Sequence, residues 1–310
     1  MVPFTLRQCA YFLAAAENGG ISQAARALNI SQPAVAQALD KLEALLGFPL
    51  FERRHARGVE LTVQGRGFLS HARTLLAEAS RTEAAARAIA GHRSGEIRVG
   101  CFHTLAPFHL ARMVSGYRAL APLVHVVMEE LRQDELLAAV ADGSVDLALT
   151  YDMGAVPGGF DRTMLAELEP HVVLPADHRL ARRRQLPLSA LATEPMVFFE
   201  GPTSGDYFRG LLRVHGIEPP IAMVSTSIES VRSAVGNGLG FSILVMRSAS
   251  DISCDGRPLG TIRIKDPVAK LPVILLRRAD APASTLVSGF VRYCRNEFEN
   301  RAPAGQRVAR

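Results

Sequence analysis

The chain has 310 residues, 48% of them hydrophobic, which exceeds one average domain and supplies apolar side chains for two or more cores. Apolar runs such as VHVVM and LPVILL end within a few residues, far short of the roughly 20 a membrane span needs, and the N-terminus spaces its apolar residues helically around Arg7 and Glu17, unlike a signal peptide. A soluble cytoplasmic protein with no membrane partner is expected; its net charge of +5 permits a nucleic-acid partner without requiring one.

Leu6, Cys9, Phe12, Leu13 and Ala16 recur at helical spacing and define a first amphipathic helix. In the stretch ISQAARALNISQPAVAQALDKLEALLG, Ser22 suits a helix N-cap, QAARAL is a short helix, and Asn29 tolerates the left-handed conformation of a tight turn. Ser31 then caps a third helix with Pro33 in its first turn, where a missing N–H costs nothing. Val35, Ala38, Leu39, Leu42, Leu45 and Leu46 form its core face and leave Gln32, Pro33, Ala36, Gln37 and Lys41 facing outward. Two readings fit this spacing. One is a small helical bundle with a solvated polar face; the other is a helix-turn-helix, which puts the start of its last helix into a DNA major groove. The amides of Gln32 and Gln37 both donate and accept, as recognition of a base edge requires.

Beyond the third helix, FPLFERRHARGVELTVQGRGFL carries the apolar pair Leu50 and Phe51, the basic cluster Arg53, Arg54 and Arg57, a turn at Gly58 and a strand-like VELT. That is a two-stranded wing whose arginines neutralise phosphates beside a duplex, giving affinity with little sequence information.

The order Ser-Gln-Pro-Ala, Leu-Glu, Leu-Phe-x-Arg and Leu-Thr-x-x-Gly over roughly the first 70 residues resembles the N-terminal winged helix-turn-helix of LysR-type transcriptional regulators. The resemblance implies DNA contacts from Ser22, Ser31, Gln32, Pro33, Gln37, Lys41, Arg53, Arg54 and Arg57. One departure is Ala36, where the family usually carries a serine that can touch DNA.

Thr62 can cap a long helix from about Val63 to Ala90. Along it Phe68, Ala72, Leu75, Ala79, Thr82, Ala86 and Ile89 alternate four and three apart over three heptads, a seam that either meets a partner helix or packs on its own domain. Family resemblance implies the first, a dimerising linker helix in a homodimer or homotetramer, with Gly91 to Glu96 as a hinge.

From Glu96 the period changes. IRVGCF, VHVVME and VDLALT read as strands alternating with helices after Pro107 and in DELLAAVADG. A second series follows: PHVVLP, PMVFFE, a helix near Asp206 to His215, IAMVS, a helix near Ile228 to Val235, and GFSILV, before LPVILLRR and a last amphipathic helix. A mostly parallel sheet is expected, in two subdomains with crossovers near Thr150 to Phe160 and Ile264 to Leu271. This is similar to the periplasmic-binding-protein-like effector domain of the LysR family. The expected whole is an α/β chain: a winged helix-turn-helix over 1–62, a linker dimerisation helix over 63–92, and a two-subdomain effector domain over 93–300. Subdomain I covers about 93–155 and 268–300, and subdomain II about 160–265.

Ligands of open α/β domains sit at strand carboxyl ends, where helix N-termini and loop hydroxyls converge. His103 and Thr104, Tyr151 and Asp152, Thr203 and Ser204, and Ser225, Thr226 and Ser227 occupy such places. The resemblance implies effector contacts here, with Thr104, Thr203 and Thr226 as the best matches; His103, Tyr151, Ser204 and Ser227 complete the expected set. Hydroxyls beside orphan N–H groups favour an anion, so a small carboxylate is the expected ligand class.

Enzyme chemistry lacks its signatures. GNGLG, Gly236 to Gly240, follows a helix and precedes a strand, the reverse of a dinucleotide fingerprint, and reads as a helix C-terminal turn. No G-x-S-x-G elbow or P-loop occurs, the nine histidines form no ligand cluster, and the four cysteines, Cys9, Cys101, Cys254 and Cys294, lack CxxC spacing and read as small buried residues. Neither a cofactor nor a metal is expected.

Overall fold

The computed structural model describes residues 3–54, 58–89, 94–154, 156–201, 204–281 and 284–301. They fall into two compact units, the first comprising the chain up to Ser94 together with Ala141–Val145, the second Gly95–Val140 and the chain from Asp146 onward.

In the first unit, α1 (Leu6–Glu17) starts with a capping box: the Thr5 hydroxyl accepts from the Gln8 N–H, and the Gln8 side-chain oxygen accepts from the Thr5 N–H. Cys9, Phe12 and Ala15 are buried, while Leu6 is exposed. α2 (Ile21–Ala27) has Gly20, not Ser22, in the cap position; Ile21 packs on the core and is drawn into the helix, so Ser22 lies one residue inside it. Asn29 turns the chain with φ 56°, the left-handed geometry its short polar side chain tolerates. α3 (Gln32–Leu46) follows with Ser31 at its cap position and Pro33 in its first turn, but the Ser31 hydroxyl makes no capping bond. Val35, Leu39 and Leu42 are buried. Leu45 is exposed, because at 100° per residue it projects roughly 80° away from Val35.

β1 (Phe51–Arg54) and β2 (Gly58–Leu61) pair antiparallel, with Arg54 opposite Gly58. Thr62 closes the wing: its hydroxyl donates to the Pro49 carbonyl at 2.8 Å and accepts from the Gly65 N–H at 2.8 Å, capping α4 (Val63–Ile89). A Cβ on Gly65 would come within 2.1 Å of the Leu50 carbonyl oxygen, so this helix start packs on the wing only with glycine there. Phe12 joins Phe51 and Phe68 at ring-centroid distances of 5.5 and 5.4 Å.

The seam of α4 divides. Phe68 and Ala72 pack on the bundle of their own chain, whereas Leu75, Thr82 and Ala86 are exposed. Ile89's side chain, Ala90, and the first half of the expected hinge, residues 91–93, lie outside the described residues.

The described residues of the second unit form three sheets. Its first has the order β4-β3-β5-β13-β6, built from β3 (Gly95–Phe102), β4 (Val124–Leu131), β5 (Leu147–Tyr151), β6 (Phe160–Leu168) and β13 (Leu271–Arg278). α5 (Ala106–Leu120), α6 (Gln133–Asp142) and α9 (Thr285–Arg301) accompany them. Tyr117 of α5 meets Phe290 of α9 edge-on at 5.0 Å. The second sheet has the order β11-β7-β12-β8, from β7 (His171–Pro175), β8 (Gln185–Leu186), β11 (Ser242–Leu244) and β12 (Leu259–Ile264). A parallel pair, β9 (Met196–Phe199) and β10 (Ile221–Ser225), adjoins it through the Met196–Phe241 bridge, with α7 (Ser204–Val214) and α8 (Ile228–Gly236) alongside.

Three expectations need correction. The sheets are mixed rather than mostly parallel: β3 runs parallel to β4 and β5, but β13 is antiparallel to both its neighbours. No crossover occurs near Thr150 to Phe160, since β6 pairs with β13 along its whole length and stays in the first sheet; the chain leaves that sheet at Glu169–Pro170 and returns through 265–270. Glu169 lies 3.2 Å from Lys270, tying the two crossings together. Finally, Cys254 is exposed, unlike Cys9, Cys101 and Cys294. Among the described residues no helix is long and apolar enough to cross a membrane.

Candidate nucleic-acid interface and ligand cavity

α3 has two unlike faces. Val35, Leu39 and Leu42 are sealed in the core, Pro33, Gln37 and Lys41 are exposed away from them, and Gln32 is exposed at the first position of the helix, with Ala36 half-buried. With no bond to its own helix, Ser31 presents an exposed hydroxyl at the N-terminal tip, beside the first N–H groups. Ser22, inside α2, is half-buried. Arg53 and Arg54 stand on adjacent positions of β1; their side chains, and Arg57 altogether, lie outside the described residues.

Glu43 was not singled out from the sequence. One oxygen of its carboxylate accepts from the N–H of Leu50 at 2.6 Å and from that of Phe51 at 3.2 Å, fixing the first wing strand to α3. Its place in the Leu-Glu pair was the available signal.

The cavity of the second unit lies at the carboxyl ends of β3 and β5 and the N-terminus of α7. It brings together Thr104, Tyr151 and Ser204, all buried. The Thr104 hydroxyl donates to the Tyr151 oxygen at 3.4 Å, a long bond that leaves both hydroxyls partly unspent. Burial raises the pKa of Tyr151 far above the ordinary phenol value, keeping it a neutral donor. Around them Phe199, Tyr207, Phe208, Ile228, Leu244 and Met246 build an apolar wall. Tyr207, whose pKa is pushed up to about 12 by burial, donates to the Ala269 carbonyl at 2.7 Å and so joins α7 to the returning crossover. The cavity is nearly closed, with about 20 Å³ of free space, room for about one water.

The remaining expected residues fall elsewhere. His103 is half-buried beside the cavity with its ring against Phe102; burial is the main force lowering its pKa, and its buried Nδ1 has no hydrogen-bond partner among the described residues. Ser227 caps α8 by accepting from the Ser230 N–H at 3.3 Å, Thr226 is exposed, and neither lines the cavity. Thr203 lies outside the described residues. No local pattern in the sequence marks the aromatic wall, because its members come from β9, α7 and β11, distant along the chain.

A two-faced recognition helix with a wing, joined in one chain to an α/β unit with a cavity where its sheets meet, defines a DNA-binding regulator with a small-molecule domain. Family comparison agrees over nearly the whole length. Residues 6–66 match the bacterial regulatory helix-turn-helix model of the lysR family, and residues 90–299 match the LysR substrate binding domain. The chain belongs to the LysR family of transcriptional regulators and is not an enzyme. Among its relatives, the uncharacterized HTH-type transcriptional regulator YnfL of Escherichia coli (strain K12) is 33% identical, over 77% of this chain and 81% of the relative. The crystal structure of HinK, a LysR family regulator from Pseudomonas aeruginosa, matches with a TM-score of 0.67 at 33% identity, covering 96% of this chain and 100% of that one. A full-length CbnR structure in complex with its target DNA matches with a TM-score of 0.55 at 26% identity, over 95% and 100% of the two chains.

Proposed function

We propose that residues 1–62 bind double-stranded DNA, that the 63–92 helix pairs two chains into a homodimer or a homotetramer, and that 93–300 bind a small, anionic metabolite that modulates transcription in the cytoplasm. In this reading Gln32 and Gln37 read base edges, Ser31, Pro33 and Lys41 position the helix start, Ser22 approaches the backbone from α2, and Arg53, Arg54 and Arg57 neutralise phosphate. Subdomain II begins at about residue 170, after β6, rather than at 160. The observation that carries the DNA-binding part is that the first turns of α3 expose Gln32, Pro33, Gln37 and Lys41 while Val35, Leu39 and Leu42 are buried.

Three buried hydroxyls, Thr104, Tyr151 and Ser204, support the effector site, the last in the first turn of α7, the end that favours an anion. Among the described residues no lysine or arginine lines the cavity, so a monocarboxylate with an apolar body fits it better than a dianion. His103 stands beside it, Thr203 remains an expected contact, and Thr226 and Ser227 reach it only if α8 moves toward the ligand. Because the free space holds about one water, binding requires the sheets to part about the crossings at 169–170 and 265–270, and the ligand then favours the state that presents hydroxyls from both sides.

DNase footprinting of the full-length chain on the DNA adjoining its own gene tests the reading. Protection of two half-sites about one helical turn apart, or a multiple of it, is expected; uniform weak binding without a footprint would defeat it.

A further inference from the structure

A second, larger cavity has no part in the reading above. It opens between α9 and the face of β5, β6 and β13, has a volume of about 560 Å³, and shares no residue with the first. That volume is ample for a small metabolite. Leu147, Leu275 and Val287 are buried along its wall, and Val291 is half-buried beside them.

Above this apolar wall stand Arg292 and Arg295, three residues apart and therefore neighbours on the same side of α9. Both are exposed, and neither has an ion-pair or hydrogen-bond partner among the described residues. The third arginine, Arg277, differs: it is committed to the Asp161 carboxylate and, at 2.8 Å, to the Ala281 carbonyl. Glu299 adds one negative charge to the rim.

We infer that this cavity is a second small-molecule site, for a monocarboxylate with an aromatic or branched aliphatic body. The apolar wall removes the body from water, while the free guanidiniums of Arg292 and Arg295 take the carboxylate, which their planar donors match. Glu299 selects against a second acidic group, since a dicarboxylate would bring like charges together. The site does not depend on the first cavity being an effector site.

Benzoate is the probe, titrated calorimetrically into the full-length chain, with benzamide and terephthalate as its uncharged and doubly charged counterparts. Saturable benzoate binding is expected, weakened about tenfold or more in the Arg292→Gln/Arg295→Gln double variant and for either counterpart. Both arginines are exposed, so that variant keeps the wild-type circular dichroism and melting temperature. Val291→Phe, which puts a ring against the apolar wall without touching charge, should weaken the binding. The assignment is overturned if benzoate gives no saturable heat, if the double variant binds as wild type, or if benzamide binds as tightly as benzoate. Loss of binding in Thr104→Val with retention in the arginine variant would place benzoate in the other cavity and equally overturn it.

Discussion

Leu75 offers the sharpest test of how two chains pair. In the single chain it is 39% exposed on α4, just past the point where Phe68 and Ala72 turn inward onto their own bundle. Fully burying a leucine is worth about 1.5–3 kcal/mol, so covering the 39% still exposed contributes about 0.6–1.2 kcal/mol per helix and about twice that for a symmetric pair. Truncation to alanine keeps one methyl, and Leu75→Ala should therefore raise the dimer dissociation constant about tenfold. Leu75→Asp puts a carboxylate in the seam, which costs several kcal/mol unless the helices separate. The assay is sedimentation equilibrium of the full-length chain across a concentration series, with circular dichroism to confirm that each variant is folded. Ser80, exposed and roughly 140° around the helix from Leu75, supplies the control variant Ser80→Asp, which should associate as wild type. If Leu75→Ala and Leu75→Asp both retain the wild-type constant, α4 is not the pairing element.

Glu43→Ala strips the acceptor from the Leu50 and Phe51 N–H groups and should lower urea stability by about 1–3 kcal/mol, weakening specific and random DNA alike as the wing loosens. Thr104→Val leaves the buried Tyr151 hydroxyl without its partner; the 3.4 Å bond it removes is long, so about 1 kcal/mol of stability goes, together with the effector response, and Thr104→Ser should restore both. Thr203→Val should reduce the response. Burial holds His109 and His171 at about 4, below their ordinary 6.5, so the unfolded chain binds more protons between those values and stability falls as pH drops from 6.5 to 4. Each contributes a slope of up to about 1.4 kcal/mol per pH unit; urea titrations on His109→Gln and His171→Gln should show correspondingly flatter profiles over that window.

Local chemistry made the first unit legible. Thr62, Asn29, Pro33 and the alternation of Val35, Leu39 and Leu42 each act within a few residues of themselves, and each stands where its spacing placed it. Ser22 misled because capping preference was weighed without the pull of Ile21 into the core, a tertiary effect. In the second unit β6, β8 and β12 were not read as strands. β6 carries Asp161, Arg162 and Glu167, is partly exposed, and is held by pairing with β13 more than 100 residues away. The same distance hid the cavity: hydroxyl caps can be read from neighbours in sequence, but Phe199, Tyr207 and Met246 become a wall only after the sheets assemble. Thr226 and Ser227, chosen by the same reasoning as Thr104, lie outside that lining, since a serine before a helix is as readily a cap as a ligand contact.

In the proposed division of labour α3 reads sequence while the wing supplies charge. Fluorescence anisotropy of the full-length chain against its footprinted site and against random duplex, repeated over a salt series, separates the two roles in one experiment. Gln32→Ala should lose about 1–3 kcal/mol on the preferred site and little on random DNA, and Arg54→Ala should weaken both and flatten the salt dependence. Equal proportional losses on the two duplexes in both variants would contradict it.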